Sequence, residues 1–147
     1  MKEKNNQPAR SLVIEFSVAN EEFINLILGK LLGINPKSSK SFGTTNQALS
    51  FNAKSNLLLD LNYLNKTDRE KFQIFMEIRN KFAHLLAVDT FEKCFSLTGN
   101  YNRLQAILNE EENGNSLEEK MENTFLNLSA DISNKLSEIA LIALDKK

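Results

Sequence analysis

Cysteine, proline, glycine and valine are all scarce in this chain, and so is histidine. Of 147 residues one is Cys, two are Pro, five are Gly, three are Val and one is His. The lone Cys94 excludes an intrachain disulfide, so a reducing compartment is expected. Few breakers and few β-branched valines favour helix over sheet. One histidine leaves no serine or cysteine to be paired with a second imidazole, and neither a glycine-rich nucleotide loop nor a Cys/His metal-ligand cluster is present. No apolar run approaches the ~20 residues that cross a bilayer. The segment Met1 to Asn6 is followed by no uninterrupted apolar stretch of signal-peptide length. These absences predict a cytoplasmic protein with no membrane partner, no cofactor and no metal.

What is present is ordinary in amount and uneven in placement. Hydrophobic residues make up 41% and charged residues 25%, the balance of a soluble globular protein. The length fits one domain, with a core expected over about 9–145 and loops over about 34–50 and 110–116. The many asparagines are scattered and form no low-complexity tract. Net charge is −1, which excludes a generic polyanion binder. Residues 1–54 nevertheless carry 7 Lys+Arg against 4 Asp+Glu, while 55–147 carry 11 against 15. The basic side gathers in Lys30, Lys37, Lys40 and Lys54; the acidic side gathers in Glu110 to Glu112 and in Glu118 and Glu119.

Apolar periodicity predicts an all-α bundle of four to five main helices. The first runs from about Ala9 to Gly33 on Leu12, Phe16, Phe23, Ile27 and Leu31, broadened by Val13, Ile24 and Leu28. Gly33 ends it and Pro36 cannot continue it. The 34–50 loop carries Lys37, Lys40, Ser38, Ser39, Ser41 and Thr44, all able to donate to phosphate; a plain connection is the simpler reading. A second helix is expected from Phe51 to Leu64 behind an Ser50 N-cap, with Phe51, Leu57, Leu58, Leu61 and Leu64 inward. Thr67 and Glu70 have capping-box spacing for a third helix, from about Asp68 to Leu86. Thr90 opens a short helix holding Phe91, Cys94, Phe95 and Leu97, in which Cys94 reads as a small core residue. Gly99 and Asn100 break the chain before Tyr101 to about Asn109. Ser116 and Glu119 form a second box before a long helix with Met121, Phe125, Leu128, Ile132, Leu136, Ile139 and Ala143 inward.

The third helix carries the residues of interest. At ~100° per residue, Glu70, Gln73, Glu77, Lys81 and His84 make a polar stripe with Asn80 at its edge. Phe72, Phe75, Met76, Phe82, Ala83 and Leu86 fall opposite, with Arg79 among them. Arg79 and His84 are then ~140° apart around the axis and ~7.5 Å apart along it. One compact site needs a distorted helix, an Arg79 side chain that curls around, or a second subunit. Alternatively, Arg79 is a structural arginine paired with Glu15 or Asp60. Left unpaired in the core, it would cost on the order of 3–5 kcal/mol.

Arg79-Asn80-Lys81-Phe82-Ala83-His84 resembles the motif of the HEPN superfamily, in which a polar residue follows the arginine and a histidine comes at short helical spacing. Over residues 10–145 the helix order also resembles the mannitol operon repressor family, itself HEPN-like. The resemblance implies an all-α fold and a homodimer whose two motifs line a shared cleft. It implies, for ribonuclease members, His84 as general acid or base at a ribose 2′-OH. Arg79 would stabilise the scissile phosphate and Asn80 would orient His84 or substrate. With one histidine per chain, acid and base come from two subunits, from water, or from another residue type.

The expectation is therefore an RNA-binding protein or metal-independent endoribonuclease with Arg79, Asn80 and His84 catalytic and Lys37, Lys40, Lys54 and Lys81 contacting RNA. The alternative is a non-catalytic regulator of the mannitol-repressor kind, acting through a protein partner. A toxin-like ribonuclease held by an antitoxin partner is a third possibility. No basic helix-turn-helix stands out to read DNA.

Overall fold

Six amphipathic segments become six helices in the computed structural model, which describes residues 8–35, 37, 39–41 and 49–145. They are α1 (Ala9–Leu32), α2 (Phe51–Asp60), α3 (Lys66–His84), α4 (Phe91–Thr98), α5 (Tyr101–Leu108) and α6 (Leu117–Asp145). No strand occurs among the described residues. The fold is an all-α bundle, as the periodicity predicts, with the two short helices α4 and α5 added to the main ones.

Three long helices make the frame. Residue numbers rise together across α1 and α6: Phe16 meets Phe125 edge-on at 6.2 Å, and the Ser133 hydroxyl donates to Asn20 Oδ1 at 2.8 Å. These two helices are therefore parallel. Across α3 and α6 the numbers run oppositely, through Lys71–Asp131 at 2.9 Å and Lys135–Asp68 at 3.3 Å. The C-terminal end of α3 consequently lies with the N-terminal ends of α1 and α6. Between the helices an aromatic column forms: Phe75 stacks on Phe125 at 5.6 Å, which meets Phe91 at 5.4 Å, which meets Phe82 at 5.3 Å. Such ring pairs add roughly 0.5–1.5 kcal/mol beyond the area they bury. All seven α6 residues expected inward are buried. Cys94 is buried too, and burial pushes its thiol up to about 12. It is a core residue.

Helix ends are where the sequence reading slips. Ser50, Thr90 and Gly33 cap as expected: Ser50 Oγ accepts from Ala53 N, Thr90 Oγ1 from Lys93 N, and Gly33 is left-handed at φ 69°. Helix α2 stops at Asp60 and not at Leu64, because Asn62 turns left-handed at φ 70° and Tyr63 N closes onto Leu58 O. Helix α3 starts earlier than expected. Asn65 and Asp68 make the reciprocal box, at 2.7 and 3.1 Å, so Thr67 lies inside the helix and Glu70 is free for another role. Ser116 accepts from Glu119 N, but Glu119 reaches back to Asn115 N at 2.8 Å and not to Ser116. Pro36, Ser38 and Thr44 lie outside the described residues.

Candidate functional site

The motif helix ends in a clamp that the sequence did not advertise. Arg10, in the first turn of α1, donates from Nε to Phe82 O at 2.8 Å. Its terminal nitrogen reaches Leu85 O at 3.2 Å, Leu86 O at 3.1 Å and Val88 O at 2.7 Å. The last carbonyls of a helix have no partner within it and carry partial negative charge. One guanidinium here satisfies such groups and fixes the turn that follows. His84, the last residue of α3, is thereby placed on a held end and not on a fraying one. A cation in the first turn of a helix is electrostatically unfavourable there; that oddity is the signal by which Arg10 was detectable.

The buried face of α3 is Phe72, Ile74, Phe75, Ile78 and Phe82. The sequence reading placed Arg79 in the middle of the inward residues. Ile74 and Ile78 pull the core face away from it, Ala83 is exposed, and Leu86 lies beyond the helix at 88% exposure. Arg79 therefore sits on the shoulder, roughly 70° from the centre of the buried arc, and His84 roughly 150° from it. Neither Glu15 nor Asp60 pairs with Arg79. Its Nη1 instead donates to Asn80 Oδ1 at 3.3 Å, an exposed contact, and it forms no ion pair among the described residues.

The helix stays regular through His84, so the ~140° separation of Arg79 and His84 persists. It is the arginine side chain that turns, toward Asn80. Asn80 stands one turn before His84, where side chains at i and i+4 meet. Guanidinium, amide and imidazole thus form a band around the outer side of the α3 terminus. His84 is exposed and makes no hydrogen bond or ion pair among the described residues. Such a band offers a phosphate a fixed cation and a nearby group able to move a proton. It lacks a second proton-transfer group of the same kind.

The lysines expected to contact RNA separate into two sorts. Lys37 and Lys40 are exposed, and Lys81 is half-buried on α3 between Arg79 and His84. Lys54 is corrected: its side chain is 0% exposed and its Nζ lies 2.8 Å from Glu21 Oε2. The reason lies in the spacing of Phe51, Lys54, Ser55 and Leu58, which together make the inward stripe of α2. A charge on that stripe stays ionised only with a partner, and Glu21 of α1 provides one. Lys54 ties α2 to α1 and does not face a phosphate backbone.

The polar stripe of α3 is also divided. Glu70 accepts both forks of Arg103 at 2.6 Å, which lowers the carboxyl below its ordinary value. Glu77 accepts from Asn100 at 2.8 Å. Both contacts dock α5. The Glu118 carboxylate accepts from Phe91 N at 2.7 Å and Glu92 N at 2.9 Å, so α6 caps α4. Glu118 occupies an ordinary position at a helix start, and nothing in the sequence sets it apart.

Beside the motif end the surface is apolar. Leu85, Leu86 and Leu97 are exposed, and a shallow hollow of mixed character is lined by Ala87, Val88, Glu92, Lys93, Ser96 and Leu97. Among the described residues no group of three His, Cys, Asp or Glu is placed to hold a metal ion, and no helix is long and apolar enough to cross a membrane. Compared with protein-family models, with curated proteins and with solved structures, the chain matches none.

Proposed function

We propose that this protein is an HEPN-like RNA-binding protein that cleaves RNA without a metal, using the surface around Arg79, Asn80 and His84. One observation carries the reading. All three polar groups stand on the outer side of a clamped helix end, with no structural partner for the arginine beyond Asn80. A structural arginine would sit in a closed ion pair, as Lys54 does. Arg79 holds the phosphate and offsets its developing charge. His84 moves the proton at the 2′-OH. Asn80, which accepts from Arg79 and stands one turn before His84, orients His84 or the substrate. With one histidine per chain, the opposite proton transfer comes from His84 of a second copy or from water. A homodimer that sets two α3 ends face to face provides the former. Lys81, on the same helix, adds a cation for the strand; Lys37 and Lys40 follow the far end of α1 and stand apart from this surface.

The test is incubation of purified protein with mixed RNA in chelator, beside Arg79→Ala and His84→Ala. Cleavage to 2′,3′-cyclic phosphate ends that both substitutions abolish supports the enzyme. No cleavage by a folded wild-type protein rejects it.

A second reading is favoured by the exposed Leu85, Leu86 and Leu97 beside the motif. Apolar side chains grouped on a surface mark protein contact more often than nucleic-acid contact. On that reading the chain is a non-catalytic regulator of the mannitol-repressor kind, and its partner, an antitoxin in the toxin-like version, covers the motif. Binding of RNA by the wild-type protein with no product, unaffected by His84→Ala, would favour it.

A further inference from the structure

The far end of α1 presents a second surface, unconnected with the motif. Leu26 is 63% exposed there. It borders an apolar groove of about 280 Å³ between α1 and α6, lined by Phe23, Ile27, Lys30, Ala140 and Ala143. Small residues on α6 opposite a large aromatic on α1 leave room for an incoming side chain of leucine size. An exposed leucine and a leucine-sized groove thus lie on the same patch.

The charges around it are arranged about Leu26. Glu22 lies four residues before it and Lys30 four residues after it, and both are exposed. The three share one i, i+4 ridge of the helix, each charge about 6 Å from Leu26 along the axis. Neither charge forms an ion pair among the described residues. A two-fold axis beside Leu26, on its groove side, would run two α1 helices antiparallel. Each Glu22 then faces Lys30 of the other copy, and each Leu26 enters the groove of the other copy. Contacts related in this reciprocal way are what a closed two-fold interface requires. A helix with like charges at both positions would repel its own copy.

We propose that this chain pairs with a second copy of itself through Glu22, Leu26 and Lys30 on α1, with Leu26 seated between α1 and α6. The axis lies about 24 Å along α1 from Arg10, at ~1.5 Å for each of sixteen residues. The pairing is separate from any assembly of the α3 ends, and its failure leaves the proposed function untouched.

The experiment is sedimentation of the full chain and of surface variants that circular dichroism shows to be folded. Glu22→Lys and Lys30→Glu each place like charges opposite one another twice, and each should weaken self-association by about tenfold or more. The double reversal, Glu22→Lys with Lys30→Glu, should restore it, which a merely local effect on α1 would not do. Leu26→Glu should abolish it. A wild-type protein that is monomeric throughout would overturn the proposal. So would self-association that ignores the three single substitutions, or that is lost only with Leu86→Glu, which would assign the contact to the motif end. A double reversal no better than the singles would overturn the two-fold arrangement. RNA cleavage by Leu26→Glu and by His84→Ala, measured in parallel, bears on the proposed function alone.

Discussion

The two halves of α3 use their polar residues in opposite ways. In the N-terminal half Asp68, Glu70 and Lys71 are each committed to a neighbour: Lys135, Arg103 and Asp131. In the C-terminal half beyond Glu77, Asn80 and His84 form no hydrogen bond or ion pair with another helix among the described residues, and the Arg79 side chain hydrogen-bonds there only to Asn80. What the neighbouring helix contributes there is Arg10, and it binds main-chain carbonyls and not side chains. The same sequence pattern, polar residues at helical spacing, therefore serves docking at one end of a helix and leaves chemistry open at the other. The difference is in what stands opposite each half.

The largest disturbance comes from removing what both halves share. Phe82→Ala deletes a fully buried ring that packs on Phe91 at 5.3 Å, and should cost about 3–5 kcal/mol. Denaturant unfolding measures it; a loss below 1 kcal/mol would mean that the aromatic column does not support the C-terminal half. Next comes the tie between α1 and α2. Glu21→Ala leaves the Lys54 ammonium buried without its carboxylate and should cost about 3 kcal/mol, more than Lys54→Met, which removes the charge itself. Equal losses would show that the pair acts through packing alone.

Arg10→Ala sharpens the comparison directly. It strands carbonyls of the motif turn and should cost about 1.5–3 kcal/mol. The lone histidine gives a single imidazole signal in proton NMR, and that signal should broaden or shift as the helix end frays. An unchanged His84 resonance would show that the clamp does not position it. The Glu70–Arg103 pair is a smaller matter, because the site is open to solvent. With its carboxyl held below the ordinary value, Glu70 contributes stability above the unfolded carboxylate range, and that contribution disappears as pH falls through the lowered folded value. Glu70→Gln should flatten that part of the stability–pH profile, with a small loss at pH 7 and none at the acid end. Smallest of all should be His84→Ala, within about 0.5 kcal/mol of wild type as for other surface changes, although RNA cleavage should vanish. A marked loss of stability would place His84 among the docking residues and erase the contrast between the halves.

Periodicity located the helices because burial follows it: every inward residue read on α6 is in the core. It failed for residues whose role depends on a partner far along the chain. Lys54 was legible in retrospect, since Phe51 and Leu58 flank it at helical spacing, but the acid that makes its burial tolerable sits 33 residues away in α1. Arg79 was misplaced because Ile74 and Ile78 were left out of the inward arc. The helix ends slipped, by two residues where Asn65 caps in place of Thr67 and by four where Asn62 turns the chain before Leu64. Arg79, Asn80 and His84 were readable as a motif. The clamp that holds their helix end was not, because carbonyl acceptors are present at every residue and carry no sequence signature.

Arg10 finds its acceptors 72 to 78 residues downstream, and Asn20 meets Ser133 across 113. During synthesis Arg10 must therefore wait until Val88 has emerged from the ribosome and Asn20 until Ser133 has, although Glu21 can already meet Lys54. Closing such long loops is slow relative to forming local helices. The α3 terminus is consequently held only once Val88 is available to Arg10, and a nascent chain halted short of it would display the imidazole without the clamp that holds it in place.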